Sequence, residues 1–163
     1  MWCESRIRQK LWQSRSDTHW ARFILSFYPC AAMNDNAPYC SGNAIDEGRG
    51  GWFVGQFIAP ELGLRHQRAL EVKWAQHPKG ECRRAFSQCK SATTISILVS
   101  GLFVTRLKIC EVLREVTLAN PGDYVAFAPG VDHSWEARED CVVISVRFPS
   151  LAGDQVEQPK APL

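Results

Sequence analysis

The sequence predicts an all-β domain: a small, closed, strand-walled barrel running from about Trp52 to Ser150. Three observations carry this. From Trp52 onward the chain is a succession of short, partly alternating segments rich in Val, Ile, Thr, Phe and Trp, the composition of half-buried strands. The breaks between them carry turn chemistry: Pro78-Lys79-Gly80, Ser100-Gly101, Asn120-Pro121-Gly122-Asp123 and Pro129-Gly130. No stretch after Trp52 requires a helix of three turns. Many short strands with regular turns close into a sandwich or barrel, because open edges invite aggregation.

Taken in order, the expected strands are Trp52–Ile58, Leu70–His77, Cys82–Ser87, Thr93–Val99, Leu102–Ile109, Glu111–Leu118, Tyr124–Phe127, Ser134–Ala137 and Cys141–Phe148. Residues 151–163 read as a C-terminal tail. Ahead of the strands lies an irregular N-terminal extension, residues 1–51. Its part from Met33 to Gly51 is polar and glycine-rich, a flexible lead-in. Residues 1–32 sustain neither helix nor strand periodicity. They carry five basic residues (Arg6, Arg8, Lys10, Arg15, Arg22) against Glu4 and Asp17, and three of the six tryptophans. A targeting peptide, an N-terminal helix and sequence upstream of a natural start at Met33 are the three readings. The last is preferred, with poor order expected before Met33.

At 163 residues the chain has the length of one domain with one core. A formal net charge of +2 argues against nucleic acid and anionic membranes as partners. No apolar run approaches the roughly 20 residues that cross a bilayer. The seven cysteines are odd in number and form no CxxC pair, which points to reduced thiols in a cytoplasmic protein rather than a disulfide framework or zinc knuckle.

Two stretches bear on chemistry. Gly122-Asp-Tyr-Val-Ala-Phe-Ala-Pro-Gly130-Val-Asp-His133 is a glycine turn, a short strand and a Pro/Gly corner leading to a histidine. It resembles the second motif of the cupin superfamily, with Gly122, Gly130 and His133 at the family spacing and Pro129 one place late. Gly80 and Gly101 match the ends of the first cupin motif. His77-Pro-Lys-Gly-Glu81, Ala92–Gly101 and Arg147-Phe-Pro-Ser150 resemble a group of small single-domain bacterial cupins of mostly uncharacterised function. The resemblance implies a double-stranded β-helix, the jelly-roll barrel, over residues 52–150, and a homodimer. Trp52, Phe53, Phe57 and Ile58 would supply either an exchange surface for that dimer or a cover for the barrel's own core.

The resemblance also implies a metal held by three histidines and a carboxylate. Here those positions fall on Ser87, Cys89, Thr94 and His133. Two good donors rarely hold a metal tightly, so no cofactor is expected. A divalent metal, if one binds, would use His133.

Strand alternation then gives a proposed lining of Arg83, Ser87, Cys89, Thr94, Ser96, His133 and Trp135. An aromatic wall, hydroxyls, a histidine and one guanidinium make a miniature pocket for a small polar or anionic molecule, since the Arg fork suits carboxylate or phosphate. Each has a duller reading: Arg83 facing solvent, the hydroxyls bonding one another, His133 a satisfied structural histidine, Cys89 and Cys141 small buried apolar groups. A small-ligand-binding cupin is the first function expected. A metal-dependent oxygenase or isomerase using His133 is the second, and an empty structural barrel the third. A void of several hundred cubic ångströms would mark a pocket and a filled interior a structural barrel.

Overall fold

A computed structural model of the chain describes residues 38–47 and 49–158. The expectations for residues 1–32, for Met33 as a start and for residues 159–163 lie outside them. Within the described residues the strands are β1 (Trp52–Val54), β2 (Glu71–His77), β3 (Cys82–Cys89), β4 (Thr93–Ser100), β5 (Phe103–Ile109), β6 (Val112–Leu118), β7 (Tyr124–Phe127), β8 (Asp132–Ala137), β9 (Cys141–Phe148) and β10 (Gln155–Glu157). They pair as two antiparallel five-stranded sheets, ordered β1-β2-β9-β4-β7 and β10-β3-β8-β5-β6. Consecutive strands fall in different sheets at most steps, so the chain winds around the barrel as a jelly roll.

Two features depart from the expected elements. The first expected strand stops at Val54, and a short 3-10 turn follows at Pro60–Arg65. There, Pro60 presets the φ that a turn needs. The tail also holds a strand, β10, which pairs Gln155 with Cys89 and Glu157 with Ser87. Asp154 sets it there: it is buried, and its carboxylate accepts the backbone N–H groups of Ser91 (2.8 Å) and Ala92 (3.1 Å) in the β3–β4 turn. The strand-rich region therefore runs past Ser150.

The lead-in is tied down as well. Glu47 accepts two hydrogen bonds from the Arg65 guanidinium, at 2.7 and 2.5 Å. Such bidentate pairs hold geometry better than a single contact.

The apolar core fills one part of the space between the sheets. Leu98, Phe103, Leu107, Leu118, Val125, Phe127, Ala137, Cys141 and Val143 form it. Ile58 is buried, while Trp52, Phe53 and Phe57 are half-buried. The edge strand β6 is largely exposed. Arg106 on its neighbour β5 pairs with Glu115 and with Glu136 of β8, which keeps that face of the sheet polar.

Candidate functional site

Alternate residues of each strand point between the sheets, so side chains two apart gather on one wall. β2 delivers Lys73, Ala75 and His77. β9 delivers Val143, Ser145 and Arg147, and β4 delivers Thr94 and Ser96. They enclose a cavity of about 130 Å³ together with Arg83, His133, Trp135, Thr105 and Trp52. A register shift between Arg83 and Ser87 in β3 sets Arg83 opposite Trp135 and Ser87 opposite His133.

Of the residues expected from sequence, Arg83, Thr94, Ser96, His133 and Trp135 line the cavity. Arg83 thus faces inward, and its Nη2 donates to the backbone oxygen of His133 at 3.2 Å. Ser87 and Cys89 are buried beside the cavity rather than on its wall. Cys89 Sγ lies 3.8 Å from Thr94 Oγ1 and 4.0 Å from Arg147 Nη1. His133 Nε2 faces the Ser87 hydroxyl, not the thiol.

Further residues outside the lining expected from sequence shape the site. Lys73 and Arg147 join Arg83 on the cavity wall; among the described residues no aspartate or glutamate lines it. Glu71 lies next to them, buried, and forms an ion pair with Arg147 Nε. Ser150 donates to the same carboxylate at 3.3 Å, so both ends of the Arg147-Phe-Pro-Ser150 stretch converge on Glu71. Trp52 packs its indole 4.1 Å from the Arg147 guanidinium carbon. Gln155 reaches in from β10. Strict alternation along β2 and β9 was the available signal for Lys73 and Arg147. For Gln155 no signal existed, because its strand is only three residues long.

Gln155 organises a chain of oriented hydrogen bonds. Arg147 Nη1 donates to Gln155 Oε1 at 2.6 Å, and Gln155 Nε2 donates to Ser87 Oγ at 3.0 Å. The Ser87 hydroxyl is left to donate to His133 Nε2, 3.5 Å away. His133 Nδ1–H donates to the carbonyl of Val131 at 3.2 Å. A carbonyl can only accept, which assigns the proton to Nδ1 and the lone pair to Nε2.

Burial holds His133 neutral and pushes its pKa down to about 4, with Arg83 and Arg147 adding to the effect against the Val131 carbonyl. Burial, Arg83 and Arg147 also push Lys73 below the usual lysine range. Burial lowers Arg83 too, but a guanidinium keeps its charge in proteins. Glu71 is pushed up by burial, partly offset by Arg147 and Ser150.

A stability prediction follows from His133. The unfolded chain binds a proton on this imidazole near pH 6.5 and the folded one near 4, so acidification between those values favours unfolding. The loss approaches about 3 kcal/mol at pH 4, and above pH 6.5 the group has no effect. Urea midpoints of wild type should therefore fall more steeply across this window than those of His133→Gln. Parallel curves would count against a buried neutral imidazole.

The expected metal positions do not fit a divalent cation. Among the described residues no three His, Cys, Asp or Glu side chains converge. Where the first motif would place ligands, the Arg147 guanidinium approaches Cys89 and the Gln155 amide donates to Ser87. A fixed positive charge and an inward N–H both oppose a second cation. His77 reaches the cavity, but its Nδ1 pairs with Glu81 at 2.8 Å and its ring packs 4.3 Å from Trp135.

No family model matches the sequence, nor does any curated protein. Similar solved structures include KdgF from Halomonas sp., with 22% identity over 52% of this chain and 74% of that one, TM-score 0.45. They also include QdtA, a sugar 3,4-ketoisomerase from Thermoanaerobacterium thermosaccharolyticum in complex with TDP: 19% identity, 63% and 72% coverage, TM-score 0.48. Oxalate decarboxylase from Bacillus subtilis matches at 15% identity over 56% of this chain but 24% of its own, TM-score 0.48. These are likenesses of fold alone.

Proposed function

We propose that this cupin-fold barrel binds a small organic anion, a carboxylate of a few carbon atoms, in the cavity walled by Lys73, Arg83 and Arg147. One observation carries the reading: those three cationic side chains line the cavity and, among the described residues, no carboxylate does. Glu71 behind the wall offsets Arg147, while Lys73 and Arg83 have no ion-pair partner among the described residues; burying uncompensated charge is costly, and an anion from solution would offset it. Two buried polar atoms of wall residues, Arg83 Nε and Thr105 Oγ1, have neither a hydrogen-bond partner nor an ion pair among the described residues. Native structures leave few such atoms.

Size narrows the class. The cavity, about 130 Å³, falls below the range of drug-sized pockets and near that of an engineered 150 Å³ cavity that holds benzene. It therefore suits a molecule of roughly six non-hydrogen atoms. Trp135 on one side and Trp52 on the other supply apolar faces for a short carbon chain.

The test is thermal unfolding with malonate, oxalate or phosphate, against uncharged malonamide. Malonate at about 100 times its Kd should stabilise by about 2.7 kcal/mol, a rise of roughly 5–10 °C in Tm. The rise should be lost in Arg83→Met. Equal shifts with malonamide, or an undiminished shift in Arg83→Met, would defeat the proposal.

A further inference from the structure

Resting on the anion-binding reading, we infer that Lys73 is a nucleophilic amine that forms a Schiff base with the carbonyl group of a small oxo acid, whose carboxylate Arg83 and Arg147 hold. The three cations are not equivalent. Arg147 engages Glu71 through Nε and Gln155 through Nη1 and packs on Trp52, which leaves its Nη2 for a ligand oxygen. Arg83 donates to the His133 carbonyl. Lys73 alone among them has neither a hydrogen bond nor an ion pair among the described residues, and its Nζ stands 5.9 Å from the Trp52 ring. Two guanidiniums suffice to grip a carboxylate. The third cation is the one whose charge can be given up.

Lysine becomes a nucleophile when it is desolvated or set beside other cations, and Lys73 meets both conditions. The charged groups facing it are Arg83 of β3, Arg147 of β9 and, from the β2–β3 turn, Glu81, whose effect is opposite and smaller than that of Arg83. Lys73 lies in the centre of a strand, which gives its backbone a fixed position. A carboxylate anchored by the arginines would present an adjacent carbonyl carbon on the same cavity wall.

The step balances without an outside reagent. The neutral Nζ donates its electron pair to the carbonyl carbon, forming a C–N bond as the carbonyl π pair moves onto oxygen, which takes the proton the nitrogen gives up. One further proton from water, equal to the one the lysine ammonium released on becoming neutral, lets that oxygen leave as water, and the nitrogen lone pair forms the iminium ion. Nothing is oxidised or reduced.

The experiment uses the whole chain with pyruvate or glyoxylate and sodium cyanoborohydride, followed by digestion and mass spectrometry. Cyanoborohydride delivers hydride to the iminium carbon, so the modified peptide gains the mass of the acid less one oxygen. We expect Lys73 to be modified at least tenfold faster than the exposed Lys79 and Lys90, excess malonate to suppress it, and the adduct to be absent in Lys73→Arg. Modification of Lys73 no faster than of Lys79 and Lys90 would overturn the inference. If malonate still raises Tm in that case, anion binding stands and only the covalent step fails. If malonate neither raises Tm nor protects Lys73, both readings fall together.

Discussion

Replacing Arg147 with Met should cost about 3–5 kcal/mol of folding stability at pH 8, because it strands the buried carboxylate of Glu71. The side chains of Arg147 and Glu71 are 14% and 6% exposed, so water cannot take over the lost partner. The carboxylate can instead pick up a proton. Its pKa is already raised by burial and would rise further without Arg147. A group whose folded pKa lies above its unfolded one adds stability at low pH and loses it as pH rises. The deficit of Arg147→Met should therefore shrink between pH 8 and pH 5. The pair Glu71→Gln with Arg147→Met should recover most of the loss, since the buried charge is then gone altogether. Urea denaturation at the two pH values, on the single and double variants, measures all of this. A pH-independent deficit would mean that Arg147 acts through packing on Trp52 rather than through Glu71. The single variant should also lose the malonate-induced rise in Tm, because half of the anion clamp is missing.

Gly101→Ala should be comparably severe, at about 2–6 kcal/mol. Gly101 turns β4 into β5 with φ of +86°, and a Cβ there would stand 2.2 Å from the Asp140 carbonyl oxygen and 2.7 Å from Cys141 Cα. Both are backbone atoms, and Cys141 heads β9, the central strand of its sheet. Relief would require moving that strand, which also carries Arg147. Gly80 is the internal control. Its φ of +87° is nearly the same, but no atom lies within 4 Å of its added Cβ. Gly80→Ala should cost only the backbone strain, about 1–2 kcal/mol. Similar urea midpoints for the two variants would show that space at Gly101 is not what the turn requires. The two glycines occupy matching ends of one sequence motif, so the motif cannot distinguish a turn requirement from a close-packing requirement.

How much of the site could be read along the chain depended on where each partner came from. Arg83, Thr94, Ser96, His133 and Trp135 were placed from strand parity and the glycine frame, and all five line the cavity. Ser87 and Cys89 were put on the wall from the motif positions themselves, and they sit beside it. The arginine that neighbours Cys89 could not be read along the chain. Arg147 is about 60 residues from Cys89 in sequence, and it reaches the thiol because β9 pairs with β4.

By itself the sequence determined most of the strands, their turns and the barrel they close into, because alternation, β-branched composition and Gly/Pro punctuation act over a few residues; the end of β1 and the whole of β10 escaped it. Only the tertiary structure decided the character of the cavity. Arg147 is remote in sequence from Lys73 and Arg83, and the three lie on three different strands; a formal charge of +2 for the whole protein gives no sign that they meet. Electrostatic potential depends on distance in space, and strand pairing is what set those distances.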